Sequence, residues 1–329
     1  MRRSPQTRSA GRAGRSPAAL ASACAALAAA AVLLLGCSGA QTTSRKPAAK
    51  GTPPAAGQLR LVVSRDFGAR LLKDVTVPFK DGTTVMRLLA ERCEVDTGYG
   101  GGFVNGIDGL KSSFGGSGAA DDWFYWVDGR MGAVGAGDRR LHGGQTVWWD
   151  YHAWAQAMFI PGSLDAFPAP FRDEEMVLSS EPSMHDVAAA WAQRQGIAFH
   201  DEPWSHPAGA DLGPWLLVRT TEQIGAERIA RAAMSAGTEA GVFVAVEGGR
   251  LFAVRADGHR GPGLRAAAFA TPDPQHATRL CLVLVADDAG ALETLLAGFT
   301  PPAASSHVAL GLTTDGRIVP LPFEGEGAT

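Results

Sequence analysis

The chain has little of the vocabulary of catalysis. It carries four cysteines and three tyrosines in 329 residues. It has no Gly-x-Ser-x-Gly elbow and no Walker-type phosphate loop, so serine-hydrolase and P-loop chemistry find no support. Gly115-Gly116-Ser117-Gly118 lacks the Lys-Ser or Lys-Thr that would make it a phosphate cradle, and reads as a flexible loop. His200, Glu202 and His206 miss the His-Glu-x-x-His spacing, and Pro203 and Pro207 break any helix there, so no metal is expected. Nothing marks Cys93 as a thiolate nucleophile. There is no basic run beyond Lys50. There is no acid in the first 36 residues, and no large apolar residue between 38 and 57.

The amino-terminal pattern explains several of these gaps. Arg2, Arg3, Arg8, Arg12 and Arg15 precede an apolar stretch over residues 18–35. A basic segment, an apolar segment and a small residue before a cut is the order of an export signal. The ending Leu34-Leu35-Gly36-Cys37 resembles the lipobox of bacterial lipoproteins. That resemblance implies cleavage before Cys37 and a diacylglyceryl thioether on it, with the chain held by lipid on the outer face of a membrane. Several acyl chains together make such an anchor stable, since one alone is marginal. An uncleaved span is the alternative, but the stretch barely reaches the ~20 residues a span needs and is mostly alanine. The positive-inside rule puts the body outside under either reading. Without the signal, 25 basic residues face 33 acidic ones, a net charge of −8 that argues against nucleic acid as a partner. Residues 37–57 read as a disordered linker, too polar to offset the entropy of ordering.

Cys24 leaves with the signal, so Cys93 and Cys281 remain in the body. Both read as small buried hydrophobes: Cys93 is in phase with Val85, Leu88 and Leu89 on one helical face, and Cys281 lies within an apolar run. The export compartment would also permit them to pair.

Residues 59–63 and 74–79 read as strands, with a turn at Asp81-Gly82. Thr83 is placed to cap a helix running to about Cys93. A glycine-rich stretch, Gly98 to Gly102 around Tyr99, leads to a short strand at Phe103-Val104 and a turn through Asn105-Gly106. Asp108-Gly109 marks a further turn. Residues 123–127 form a strand closed by Asp128-Gly129, and residues 146–151 form the last one. Asp121-Asp122 reads as a strand-edge cap, with polarisation of a ligand amide as the alternative.

Strands, one helix and then more strands is the order of a β-grasp. The segments DGTTVMRLLAERC (81–93), GGFVNGIDGL (101–110) and DWFYWVDGRMGAVGAGDRRLHGGQTVWWDY (122–151) resemble a bacterial β-grasp family of unknown function. That family is related to the carboxy-terminal domain of transcobalamin and intrinsic factor. One departure is Gly144-Gln145, where the family pattern has Gly-Asp. The resemblance implies binding rather than catalysis, with cobalamin or a related corrinoid as ligand. Aromatic side chains would meet the ring face and backbone groups of glycine-rich loops the amide rim.

Alternation sets Trp123, Tyr125 and Val127 on one side of their strand and Phe124 and Trp126 on the other. Val147, Trp149 and Tyr151 likewise alternate with Trp148, Asp150 and His152. About half of these rings must be core. The surplus would meet a ligand, a protein partner or the rest of the chain. Tyr99, Phe103, Asn105, Trp123, Trp126, Trp148 and Tyr151 are the expected ligand contacts, with Tyr99 and Phe103 foremost.

Beyond Pro161-Gly162 the chain reads as a second unit. A helix from Ser183, as N-cap, to about Gln195 comes first. Then a strand at 215–218, a helix at 226–234 and strands at 242–246 and 250–254 recur about 66 residues later as 280–285, 289–296, 308–312 and 317–319.

The expected architecture is therefore α+β. A signal occupies 1–36, a linker 37–57, a β-grasp (ubiquitin-like) domain 58–160, and an α/β domain with a strand–helix–hairpin repeat 161–329. The expected function is a membrane-anchored extracytoplasmic binder of a corrinoid that hands it to a membrane importer, with no catalytic role and no cofactor. The alternative is a surface module that docks a protein or wall polymer and takes no small molecule.

Overall fold

A computed structural model describes residues 51–98, 101–113, 120–155, 157–203, 213–274 and 276–324. The expected signal, Cys37, most of the linker, Tyr99 and His206 lie outside the described residues.

The first sheet is built on a hairpin, β1 (Gln58–Arg65) and β2 (Arg70–Pro78). Its turn holds Asp66, Phe67 and Gly68 at φ of 59°, 57° and 88°. Two non-glycine residues in the left-handed region are costly, and here a buried carboxylate holds them. Asp150, fully buried, accepts hydrogen bonds from the Phe67 and Gly68 N–H groups at 2.9 Å each and from Ser64 Oγ at 2.5 Å. His152 Nδ1 lies 3.0 Å from the same carboxylate.

Asp150 belongs to β8 (Thr146–Ala153), which runs parallel to β1 with Leu61 opposite Val147. Between hairpin and β8 come α1 (Val85–Ala90), β3 (Val95–Gly98), β4 (Phe103–Ile107), β5 (Leu110–Lys111), β6 (Asp121–Val127) and β7 (Arg130–Met131). The sheet order is β2-β1-β8-β6-β7, while β3, β4 and β5 form a separate small sheet.

Local chemistry explains two departures from the expected boundaries. Thr84, not Thr83, caps α1, its hydroxyl accepting from the Arg87 N–H; Thr83 Oγ1 donates instead to the Lys80 carbonyl. Asn105-Gly106 is not a turn but lies inside β4, where a Cβ on Gly106 would sit 3.2 Å from the Leu110 carbonyl oxygen. The reversal comes at Asp108-Gly109, with φ of 48° and 84°. Asp128-Gly129 repeats it at 48° and 74°; both pairs have the positive φ values of tight hairpin turns.

Both faces of the first sheet are buried. Leu59, Leu61, Trp123, Tyr125, Val147 and Trp149 pack with Val85, Leu88 and Leu89 of α1. On the opposite face Trp126 and Trp148 stack at 4.5 Å between ring centroids. They join a core that includes Trp215, Leu217, Phe243 and Val283 from the second half of the chain.

That second half forms a larger sheet. Its elements are β9 (Met176–Ser180), α2 (His185–Gln195), β10 (Phe199–Asp201), β11 (Trp215–Thr220), α3 (Arg228–Ala236), β12 (Val244–Glu247), β13 (Arg250–Val254), β14 (Arg260–Asp273), β15 (His276–Ala286), α4 (Ala289–Gly298), α5 (Pro301–Ala304), β16 (Ala309–Thr313) and β17 (Ile318–Leu321). The order is β10-β9-β11-β15-β14-β13-β12, parallel from β10 to β15, with β16 also on β14 and β17 on β16. The first strands of the two strand–helix–hairpin stretches lie side by side, Leu216 opposite Leu282. α2 and α4 cover one face, while α3 shares the core that receives Trp126 and Trp148. Ser183 does not cap α2. It sits in a short 3-10 turn whose N–H is taken by Glu181, and the helix starts at His185.

The result is a mixed α/β structure dominated by strands in several sheets. The described residues, all within 47–329, belong to one compact unit. Within it Arg60, buried and bonded twice to Asp74, also donates to Ser305 Oγ at 2.8 Å. Among the described residues no helix is long and apolar enough to cross a membrane.

Replacing Asp150 with alanine strips the acceptor from both turn N–H groups, Ser64 and His152. Each buried group left unpaired costs about 1–3 kcal/mol, so Asp150→Ala is expected to lower the free energy of unfolding by roughly 3–5 kcal/mol. Ser64→Ala, which removes one of these bonds and the acceptor of the buried Trp148 N–H, should cost about 2 kcal/mol, less than Asp150→Ala. Denaturant melts compare them; equal losses would show that the carboxylate does not hold the turn.

Candidate ligand cleft

A cleft of about 410 Å³ opens on the α1 side of the first sheet. Its floor is Trp123 and Tyr125 from β6 and Trp149 from β8, which period-two alternation puts on one face. One wall is Gly102, Phe103 and Val104 at the start of β4. The other is the loop after β7, from Gly132 to Ala136. Trp154 and Met158 close one end.

Glycine makes the second wall possible. A Cβ on Gly132 would lie 2.1 Å from the Tyr125 ring, so only glycine lets the backbone cross it. The Tyr125 hydroxyl then donates to the Val134 carbonyl, and the Met86 N–H donates to the Ala136 carbonyl at 2.9 Å, tying the loop to sheet and helix. Burial pushes the Tyr125 hydroxyl above its ordinary pKa, which keeps it a donor.

The lining is nearly all apolar. Among the described residues its one ionisable carboxylate is Asp122, which accepts from Ser112 Oγ at 2.6 Å and from the Trp123 N–H at 2.7 Å. Phe103, Val134 and Met158 stand 36%, 52% and 47% exposed at the rim.

Of the expected ligand contacts, Phe103 and Trp123 line the cleft. Tyr151 lies behind Trp123, with ring centroids 5.2 Å apart and its hydroxyl donating to the Lys111 carbonyl. The Asn105 amide packs on Gly98 of β3. Trp126 and Trp148 require correction. They face the other side, fully buried, with Nε1 donating to the Ile160 carbonyl and to Ser64 Oγ, so no ligand meets either ring. Tyr125 and Trp149, which could equally have been core, contribute to the cleft. Gly132, Val134, Trp154 and Met158 carried no sequence signal, because loops have no hydrophobic period to read.

Other groups were weighed against this cleft. A more polar hollow of about 570 Å³ lies where β11 and β15 end, but there Thr221 already donates to Asp287 at 2.8 Å. Lys73 of β2 brings its Nζ 3.3 Å from Cys93 Sγ and 2.8 Å from Asp108, a cross-strand partner for the thiol. Burial outweighs it and raises the Cys93 pKa, so the thiol stays protonated. Cys93 and Cys281 are both free. Among the described residues no three His, Cys, Asp or Glu side chains are grouped to hold a metal; His200 instead lies 3.4 Å from Glu175.

Residues 82–153, from just before α1 to the end of β8, match the family described as Domain of unknown function (DUF4430). The match contains the floor and both walls of the cleft. No curated protein matches the chain. A solved structure from Ruminococcus gnavus ATCC 29149, provisionally described as a metal-binding protein, covers 29% of this chain and 94% of its own at 13% identity and a TM-score of 0.23. A superposition that loose carries neither fold nor function across, and the metal-binding description stays with that protein.

Two buried acids near the junction of the sheets give a pH-dependent stability. Burial lifts Asp165 to about 7, opposed by the hydrogen bond from Ser163, and lifts Asp128 to about 6, opposed by the Thr146 N–H and the Gln145 amide. For Asp165 the ordinary value is 3.8, so the folded chain keeps a proton that the unfolded chain has lost. That contribution is complete below the unfolded value and is lost as pH rises towards the folded one. Asp165→Asn cannot ionise. Relative to the parent it should gain on the order of 1–3 kcal/mol of stability between about pH 5 and about pH 8. Melts at both values test this, and a constant gap between the two proteins would refute the raised pKa.

Proposed function

We propose that the chain is a membrane-anchored extracytoplasmic lipoprotein that binds a ligand in the aromatic cleft, with cobalamin or a related corrinoid as the candidate. It acts by binding, not catalysis, and hands its ligand to a membrane importer. One observation carries the cleft as the site. Five large hydrophobics are strongly exposed among the described residues: Leu72, Phe103, Val134, Met158 and Phe159. Three of them line this one cleft, and Phe159 follows Met158. Apolar surface costs about 25 cal/mol per Å² when left in water, and contiguous exposed patches mark binding sites.

The β-grasp reading rests on the strand order β2-β1-β8-β6-β7, with the parallel β1–β8 pair at its centre and α1 packed on one face. Cleft size sets the mode of binding. A volume of about 410 Å³ suits one ring system, so a corrinoid would insert an edge or appended ring and leave the rest outside. The exposed Phe159 supports the second reading, a protein docked flat over the rim.

Titration of the purified chain with cyanocobalamin should give saturable heat at micromolar or tighter affinity, with quenching of tryptophan fluorescence. Phe103→Ala should weaken it roughly tenfold, the loss of about 1.4 kcal/mol of apolar contact. Neither heat nor quenching would remove the corrinoid and favour the protein partner. The anchor has its own check: Cys37→Ala should abolish incorporation of labelled fatty acid and release the chain from the membrane fraction or leave it uncleaved. Labelling that survives the substitution would overturn lipidation at Cys37.

A further inference from the structure

The cleft also reaches round the edge of β6. Asp122, Trp123, Phe124 and Tyr125 line it in succession. Side chains alternate along a strand, so a cleft confined to one face would skip every second residue. Trp123 and Tyr125 pack on the α1 face, while Phe124 and Met131, which also line the cleft, pack on the core of the other face. Between the two faces lies the backbone of the strand.

The β6–β8 ladder decides which backbone groups point to that edge. Even-numbered residues of β6 bond to β8: the Asp128 N–H just past β6 donates to the Thr146 carbonyl, and the Trp154 N–H just past β8 donates to the Ala120 carbonyl. Tyr151, opposite Trp123, turns its carbonyl the other way, to the Asp66 N–H. Odd-numbered residues of β6 therefore aim N–H and C=O at the outer edge. At Asp121 that edge is taken, the carbonyl accepting from the Ser113 N–H at 2.9 Å and the N–H donating to Ser113 Oγ at 3.1 Å. Val127 pairs with Arg130 of β7, and the Tyr125 carbonyl accepts from the Gly132 N–H at 2.9 Å. The Trp123 N–H is held by Asp122 Oδ1 at 2.7 Å. The Trp123 carbonyl and the Tyr125 N–H have no partner among the described residues. Such unpaired groups on a strand edge are a template for another chain.

The two free groups also set the direction of that chain. An antiparallel partner would exchange bonds with both groups of Trp123 or both of Tyr125, and in each residue one group is already engaged. A parallel partner needs one residue opposite Phe124, which donates its N–H to the Trp123 carbonyl and accepts from the Tyr125 N–H. From Asp121 to Tyr125 the strand runs about 13 Å at ~3.3 Å per residue, room for a short segment only. The remaining lining is mostly apolar, and no lysine, arginine or histidine among the described residues is there to hold a terminal carboxylate. We propose that the free edge of β6 takes an internal, extended peptide segment with apolar side chains, paired parallel to the strand through one residue opposite Phe124. This rests on the reading of the cleft as the binding site and deepens its docked-protein form.

The test uses the full-length chain in detergent and two matched probes: N-acetyl-leucine dimethylamide, which carries one backbone N–H, and its ester analogue, with an oxygen in place of that N–H. Affinities are read by ligand-observed NMR, and amide hydrogen exchange reads the strand. In the free chain the Tyr125 N–H should exchange faster than those of Phe124 and Trp126, which pair with β8. The amide should bind roughly three- to tenfold tighter than the ester, the worth of one hydrogen bond, and should slow exchange at Tyr125. Slow exchange at Tyr125 in the free chain overturns the proposal, because the edge is then closed. Equal affinities of amide and ester overturn it too, while the cleft remains a binding site. A preference for the amide without slowing at Tyr125 rules out β6 as the strand that pairs. If neither probe binds, the proposal falls; cyanocobalamin binding then leaves the cleft standing as a site, and its absence removes that reading as well.

Discussion

The stacked Trp126–Trp148 pair is the contact on which the architecture turns. Each ring is fully buried, each indole N–H is satisfied, and together they join the first sheet to the core of the second. Losing a tryptophan from such a setting costs roughly 3–5 kcal/mol. A single small sheet with bulk on both faces would otherwise leave one face to water. Because the second sheet takes that face, the α1 face is left to form the cleft.

The cleft, in turn, depends on backbone rather than on side-chain placement. Gly132 lets the loop after β7 cross the Tyr125 ring, and the Tyr125 hydroxyl fastens the loop through Val134. The same ring is therefore floor and fastening. Rigid aromatics on strands, walled by tied loops, give the cleft a shape set by the fold itself.

Much of the strand pattern was legible because period-two alternation and Asp-Gly turns are local signals. Phe103 is expected at a ligand from the glycine-rich stretch around it, and Trp123 from the aromatic strand it shares with Trp126. Alternation sorts rings into two faces, however, and does not say which face closes. The expected contacts draw on both faces, and the packing that buries Trp126 and Trp148 comes from residues far along the chain, such as Trp215 and Val283. β14 went unread because its run of alanines has weak strand propensity, and its pairing with β13, β15 and β16 overrides that. Asn105-Gly106 looked like a turn, yet Asp108-Gly109 two residues later makes it. Lys73 beside Cys93 follows from the fold, which no spacing reveals.

The parallel pairing of β1 with β8 also sets an order of events for a chain that emerges amino-terminus first. Arg60 has its sheet partner at Thr146, so the central pair of the first sheet waits for more than a third of the folded body to appear. The Trp126–Trp148 face waits longer still, since β15 ends at Ala286. Throughout that interval a two-faced apolar sheet lacks its cover. Long-range pairing of this kind is slow and open to misassociation. The early half of the chain thus keeps an apolar face open to misassociation until its late half arrives.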